Sequence, residues 1–318
     1  MENKLLEKYT ETYGTRFTKR QKKAFLKALH EDMSALGYES TLIQGKKLLS
    51  RADNYLFGNM KQMKNVIVVP YDTPERKFWH KVIYFPFDGT KTANKTMAAT
   101  YVPILIFFAV IFGGIYGLQP MMKNSSLAFG VSMLLFLLTL MLIYWMMHGF
   151  QNRHNVNRNS ATIAAAVDIA QKLNKDERKR TGFLFTDKNK MRSLGAEASA
   201  NDFANAGKNP TIIMMDSIGL GSQTKIGYNP QNRKIAMEIA KHYPVKNTSV
   251  ETVKLSEDMR MQSAMSFFKK AVIISCGEVD DNGSLYVMGT GTGKDCTIDK
   301  ETLEHNEEMV VQYLHTQK

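Results

Sequence analysis

The chain has 318 residues, a formal net charge of +12 and 44% hydrophobic residues. Its two cysteines, Cys276 and Cys296, are too few for a disulfide framework and suit a reducing compartment. The basic balance favours an anionic surface as partner, and we expect no nucleic-acid partner because no DNA- or RNA-reading motif accompanies the charge.

The first elements are short. Residues 17–36 are predicted to form a helix, because Phe25, Leu29 and Met33 recur at helical spacing and Thr18 can cap its start. Strands are predicted over residues 38–43, 65–69 and 81–85. The charged start of the chain predicts no signal peptide. Basic residues near the first helix could lie at an anionic membrane surface or form a solvated face: Arg16, Lys19, Arg20, Lys22, Lys23 and Lys27.

Residues 96–152 are the most distinctive stretch. They contain two uncharged runs long enough to cross a hydrocarbon core, and the predicted transmembrane spans cover residues 97–118 and 127–147. Two buried helices of a soluble core are the alternative, but such helices rarely stay uncharged for so long. A patch formed by Gly113, Gly114 and Gly117 could permit a homo-oligomer.

The charges that flank this hairpin predict its orientation. Only Lys123 lies in the turn, whereas basic residues precede and follow the two spans: Lys77, Lys81, Lys91, Lys95, Arg153, Arg158, Lys172 and Lys175. Lys and Arg are retained on the cytoplasmic side of a membrane. We therefore predict a multi-pass protein of the cell membrane with two spans and both termini in the cytoplasm.

Helices and strands alternate after the hairpin. Asn159 or Ser160 can cap a first helix, and residues 174–180 are expected to form a charged loop. Further helices are predicted near residues 193–206, 231–242, 257–269 and 300–313, and strands over 182–186, 211–215, 248–253, 271–275 and 284–288. This alternation predicts an α/β three-layer sandwich with a mostly parallel mixed central sheet. Residues 1–95 and 153–318 would be two parts of one cytoplasmic domain, interrupted by the hairpin 96–152.

Several segments carry a family resemblance. Residues 65–73 read Asn-Val-Ile-Val-Val-Pro-Tyr-Asp-Thr, and residues 212–219 read Ile-Ile-Met-Met-Asp-Ser-Ile-Gly. The chain resembles the M28 clan of zinc-dependent aminopeptidases, where the corresponding segments contain His-Tyr-Asp-Thr and Ile-Asn-Leu-Asp-Met-Ile-Gly. Residues 13–17 and 295–299 are similar to further segments of that clan. The resemblance implies an M28 peptidase-like fold built around a pair of zinc ions.

The chain departs from the clan at the metal ligands. A dinuclear zinc site needs His nitrogens, carboxylates and a Glu base. The resemblance places Pro70 at the first His, Arg158 at the bridging Asp, and Asn189 and Lys190 at the paired Glu positions. It retains Asp216 among the ligands and Asp72 near them. These residues form the predicted vestigial cleft: Pro70, Asp72, Arg158, Asn189, Lys190 and Asp216.

The added cations would repel zinc, so the resemblance implies no metal, no cofactor and no catalytic residue. We expect a membrane-anchored, catalytically inactive M28 peptidase-like protein. It would act as a binding or scaffold subunit with a membrane protein partner, such as a transporter, or hold a peptide or acidic ligand in a cleft that Arg158, Lys188 and Lys190 make cationic. The alternative is a membrane-bound metallo-aminopeptidase or hydrolase with a rearranged site around Asp72, Asp187 and Asp216, which holds a single zinc ion or works without metal.

Overall fold

The computed structural model of the chain describes residues 3–47, 50–76, 82–121, 125–188, 193–245 and 250–317. A mixed sheet of ten strands lies at its centre, in the order β1-β2-β5-β3-β6-β9-β10-β4, with β7 beside β9 and β8 beside β7. The strands are β1 (Ser40–Lys47), β2 (Ser50–Phe57), β3 (Asn65–Pro70), β4 (Ile83–Tyr84), β5 (Thr181–Thr186), β6 (Thr211–Met215), β7 (Gln223–Tyr228), β8 (Glu251–Lys254), β9 (Ala271–Val279) and β10 (Leu285–Met288).

The central strands of the sheet are parallel, and β8 at one side also pairs in parallel with β7. Strands β5, β3, β6 and β9 run parallel, whereas β2, β7 and β10 pair with them in the antiparallel sense. The sheet is therefore more mixed than the sequence predicted. The prediction missed β2 and β7, because both strands carry polar residues and neither contains the β-branched run that marks β3.

Helices cover both faces of the sheet, as the three-layer prediction requires. They are α1 (Asn3–Glu7), α2 (Lys19–Ala35), α3 (Gly89–Leu118), α4 (Ser126–His148), α5 (Ala161–Lys172), α6 (Lys175–Arg180), α7 (Leu194–Asn205), α8 (Arg233–Ala240), α9 (Glu257–Met261) and α10 (Lys300–Thr316). Ile67 and Val69 of β3 join the core that includes α2, α5 and α10, while Val66 and Val68 join the core that includes α7. This alternation follows from the two-residue period of a strand.

The structure confirms some of the predicted helix starts and ends and corrects others. Thr18 caps α2 in a capping box with Gln21, as expected. Neither Asn159 nor Ser160 caps α5, because a π-helical turn, Val156–Ser160, runs directly into that helix. The expected loop over residues 174–180 is α6, which Asn174 caps. The helix predicted over residues 257–269 ends at Met261, since Ser263 caps a separate 3₁₀ turn.

The helices α3 and α4 pack against each other and expose much apolar surface. Gly114 of α3 lies against Leu135 of α4, whereas a Cβ atom at Gly113 or Gly117 would meet no atom within 4 Å, so the contact between copies of the chain stays a prediction. Among the described residues one helical segment, Ser126–Tyr144, is long and apolar enough to cross a membrane. The described apolar segment of α3, Ile104–Leu118, is shorter. The first predicted span, residues 97–118, and with it the two-span hairpin therefore stay a prediction.

Both ends of the α3–α4 pair join the sheet at its carboxyl edge, which is the edge where the parallel strands end. Tyr84 of β4, just before α3, contacts Asp216, which directly follows β6. After α4, the Phe150 carbonyl accepts a hydrogen bond of 2.7 Å from the backbone N–H of Arg76, shortly beyond β3. Gln151 forms a bridge with Glu75 beside it. The chain thus leaves and re-enters the α/β domain at one edge.

Candidate functional site

A cleft of about 350 Å³ opens at the carboxyl edge of the sheet. In open α/β sheets ligands bind at this edge. The strands contribute Pro70, Met214 and Ile273, the segment that leads into α3 contributes Phe85 and Phe87, and the first turn of α3 contributes Thr92. The cleft is therefore bounded by the sheet on one side and by the start of α3 on the other.

An ion pair between Arg158 and Asp216 lies in this cleft. Arg158 Nη1 donates to Asp216 Oδ1, and the Tyr84 hydroxyl donates to Oδ2 at 2.7 Å. The Ser217 hydroxyl donates to Oδ1 at 3.0 Å. The guanidinium carbon of Arg158 lies 4.0 Å from the centroid of the Tyr84 ring, a cation–π contact. Both oxygens of the Asp216 carboxylate are thus engaged by protein donors.

Asp295 fixes the turn that carries Arg158. Its carboxylate accepts backbone hydrogen bonds from Asn157 at 2.8 Å and from Arg158 at 3.3 Å. Burial raises the pKa of Asp295 to about 6, although these backbone donors oppose the shift. Asp295 was not among the predicted site residues. The sequence feature that could have pointed to Asp295 was its position in the segment 295–299, which resembles part of the M28 clan.

Strained backbone marks the same edge. Ser217 has a φ of 55° and Lys188 a φ of 56°, and each lies just beyond the end of a central strand. Residues other than glycine rarely adopt this left-handed backbone conformation, and those that do tend to cluster at functional sites. The sharp turn at Ser217 places Asp216 in the wall of the cleft.

The structure brings together three of the predicted site residues: Pro70, Arg158 and Asp216 all line the cleft. The Pro70 carbonyl also accepts a hydrogen bond of 3.1 Å from Asn159. Asn189 and Lys190 lie outside the described residues. Asp72 is partly exposed beyond β3, and its charge acts on the Arg16 guanidinium.

Arg16 is not a surface residue, contrary to the prediction of a basic helix face. Its side chain is fully buried, and burial lowers its pKa to about 9. It donates to the Tyr71 carbonyl at 2.7 Å and to the Ser160 hydroxyl at 3.1 Å. Arg16 therefore ties the segment before α2 to the end of β3 and to the start of α5.

The carboxylates of the alternative enzymatic site lie apart. Asp216 is paired with Arg158 in the cleft, whereas Asp187 accepts a hydrogen bond from Lys22 of α2. Asp187 and Lys188 line a separate depression beside α2. Lys188 consequently contributes its charge to that depression and not to the cleft, where the sequence had placed it.

The described residues do not fit a pair of zinc ions. No group of three or more His, Cys, Asp or Glu side chains within the described ranges could hold a metal ion. The groups that surround Asp216 are the guanidinium of Arg158, the phenol of Tyr84 and the hydroxyl of Ser217. A guanidinium has no lone pair to donate and its charge opposes a dication.

Solved structures resemble the chain over nearly its whole length. A Zn-dependent exopeptidase from Parabacteroides distasonis matches with a TM-score of 0.60 and 12% identity, over 99% of this chain and 96% of that one. The glutaminyl cyclase of Porphyromonas gingivalis matches with a TM-score of 0.61 and 12% identity, over the same shares of the two chains. The LapA aminopeptidase of Legionella pneumophila has a TM-score of 0.56 and 8% identity, over 98% of this chain and 69% of that one.

These likenesses confirm the predicted M28 peptidase-like fold, which zinc-dependent exopeptidases and glutaminyl cyclases share. At such low identity they concern the fold and not the activity. Neither a protein-family model nor a curated protein sequence matches the chain.

Proposed function

We propose that this chain is a catalytically inactive M28 peptidase-like protein, anchored in a membrane by the α3–α4 pair, and that it serves as a binding or scaffold subunit of a membrane protein complex. The observation that carries the proposal is the Arg158–Asp216 ion pair. A permanent cation bonded to the one retained ligand carboxylate occupies the place where the clan's enzymes need two dications.

The shape of the cleft supports a binding role. Apolar and aromatic side chains such as Phe85, Phe87 and Met214 form much of its walls, which suits the side chains of a peptide segment. Arg158 uses Nη1 for Asp216, and a guanidinium carries five N–H donors. A ligand carboxylate could accept from another of them, so an acidic peptide remains a suitable occupant.

The exposed apolar surface of α3 and α4 supports the membrane anchor. Side chains such as Leu105, Val110 and Leu134 are more than half exposed, with exposed fractions of 65%, 69% and 56%. Such a surface suits lipid or another membrane helix. With the basic residues that flank the pair, the proposal places two spans in the cell membrane and both termini in the cytoplasm. The partner would be a membrane protein, for example a transporter.

The enzymatic alternative is tested on the full-length protein purified in detergent. Its zinc content and its turnover of aminopeptidase and glutaminyl cyclase substrates are measured, with and without added zinc. We expect substoichiometric zinc and no turnover. Stoichiometric zinc together with turnover that is lost in Asp216→Ala would overturn the proposal in favour of a membrane-bound metallo-aminopeptidase or hydrolase.

The binding role is tested by affinity purification from solubilised native membranes, followed by mass spectrometry. We expect a membrane protein at fixed stoichiometry. Ala264→Trp fills the cleft that Ala264 lines and should remove a partner held there, whereas Ala35→Trp, at the exposed end of α2, should retain it. Purification of the chain alone would contradict the scaffold role.

A further inference from the structure

A second depression, of about 630 Å³, lies between α2, β2 and the end of β5. Six of the residues that line it are basic: Lys19, Lys22, Lys23, Lys27, Arg51 and Lys188. His30 lines the depression as well. Among the described residues, the carboxylates that line the depression are Asp53 and Asp187. This depression is called the basic groove below.

Both carboxylates of the basic groove already have cationic partners. Lys22 donates to Asp187, and Arg51 Nε lies 2.8 Å from Asp53 Oδ1. Within the described part of the chain, Lys19, Lys23 and Lys188 have no carboxylate at ion-pair distance. The groove therefore holds a surplus of positive charge.

Three of the lysines of α2 form one stripe that faces this space. Lys19, Lys23 and Lys27 are four residues apart, so their side chains are neighbours on the helix surface. Like charges at this spacing repel one another, and an anion between them relieves the repulsion. Ammonium groups on flexible stems are suited to phosphate, and the volume suits a small ligand.

The basic groove lies at the same edge as the cleft. The bond from Arg16 to the Tyr71 carbonyl holds the start of α2 against the end of β3. Lys188 follows the end of β5. The α3–α4 pair leaves from this carboxyl edge too, through the contact between Tyr84 and Asp216. If the pair spans a membrane, as proposed above, the groove faces the lipid headgroups.

We propose that the basic groove binds a doubly charged phosphate monoester, and that the phosphate belongs to an anionic membrane lipid. The phosphate would sit between the α2 lysines and Lys188, with the apolar side chains of Leu26 and Tyr55 beneath its organic part. The lipid source rests on the proposed membrane anchor, whereas the phosphate chemistry rests on the groove alone.

The test titrates the full-length protein in detergent with short-chain phosphatidate, short-chain phosphatidylcholine and water-soluble glycerol 3-phosphate, and follows bound ligand by native mass spectrometry. We expect phosphatidate to bind more tightly than the other two. Lys19→Gln/Lys23→Gln should weaken phosphatidate binding roughly 10- to 30-fold, since each basic contact to an anionic headgroup contributes about 1 kcal/mol. Circular dichroism checks that the variant is folded.

The matched control is Lys269→Gln/Lys270→Gln, which removes the same charge from two exposed residues at the amino end of β9, on the opposite edge of the sheet. It should bind phosphatidate as the natural chain does.

Equal weakening in both variants, or no binding, overturns the site. Glycerol 3-phosphate binding as tightly as phosphatidate, with the same loss in Lys19→Gln/Lys23→Gln, supports the phosphate site and overturns its lipid source. Partner capture and zinc content are independent of these titrations, so either proposal can fail alone.

Discussion

The cleft and the contact between α5 and α10 both withdraw charged groups from water, but they balance their charge differently. In the cleft, one guanidinium meets one carboxylate, Arg158 with Asp216. Between α5 and α10, one ammonium serves two carboxyl groups: Lys172 lies 3.2 Å from Asp168 and also donates to Glu307, which is fully buried. The cleft pair is neutral with both groups ionised, whereas the helix cluster has, among the described residues, two carboxyl groups for one ammonium.

The pKa directions agree with this difference. Burial, reinforced by a hydrogen bond with Asp168, raises the pKa of Glu307 to about 9. Burial opposes ionisation of Asp168 as well, but the hydrogen bond with Glu307 and the charge of Lys172 lower its pKa below the usual range. Glu307 therefore carries the proton at neutral pH. The cluster between the helices is a structural contact, while the cleft pair lies at the edge where ligands bind.

The largest effect is expected from breaking the cleft pair. Arg158→Met leaves the Asp216 carboxylate, which is only 12% exposed, without its cation. Loss of one partner of a buried pair costs about 3 kcal/mol or more in stability. Denaturant unfolding of the purified protein measures it. In the double variant Arg158→Met/Asp216→Leu most of the loss should be recovered, and a full additive loss would contradict a pairing role.

A smaller loss is expected in the helix cluster from Lys172→Met. The lysine side chain is 36% exposed, so solvent screens part of its interaction with Asp168, while Glu307 is already neutral. We expect a loss on the order of 1–2 kcal/mol after this screening. The same unfolding measurement checks it. A loss of stability larger than that of Arg158→Met would contradict the expectation that the cleft pair contributes more to stability than the helix cluster.

The pH dependence of stability should separate the regions further. The folded pKa of Glu307 lies above its ordinary value of 4.5, so the folded chain keeps a proton that the unfolded chain releases. This contribution to stability falls as pH rises from about 4.5 to about 9. The raised pKa of Asp295 also makes the stability fall as pH rises, but only below about pH 6. Between pH 6.5 and 9, Glu307→Gln should therefore reduce the fall in Tm relative to the natural chain, by the equivalent of about 1–2 kcal/mol. An unchanged slope would contradict the shared proton.

The smallest effect is expected from Glu307→Gln near pH 6.5. Glutamine can donate to Asp168 and accept from Lys172, as the protonated Glu307 does. The change in the free energy of unfolding should stay within about 0.5 kcal/mol, the range of an undisturbed site. A loss comparable to that of Lys172→Met would mean that Glu307 is ionised in the folded chain.

Much of the fold could be predicted from the sequence, because apolar period and capping act locally. The β-branched run before Pro70 predicted β3, and Thr18 predicted the start of α2. The uncharged stretches predicted α3 and α4. The strands β2 and β7 escaped prediction because they gain their stability from neighbours across the sheet and not from their own composition.

The sequence by itself also predicted, through the family resemblance, that a permanent cation, Arg158, stands at a ligand position. Only the tertiary structure decided which charges face one another. It paired Arg158 with Asp216, buried Arg16, and moved Lys188 into the basic groove. The physical reason is that these contacts join residues far apart in the chain, and the packing of the strand ends sets their distances.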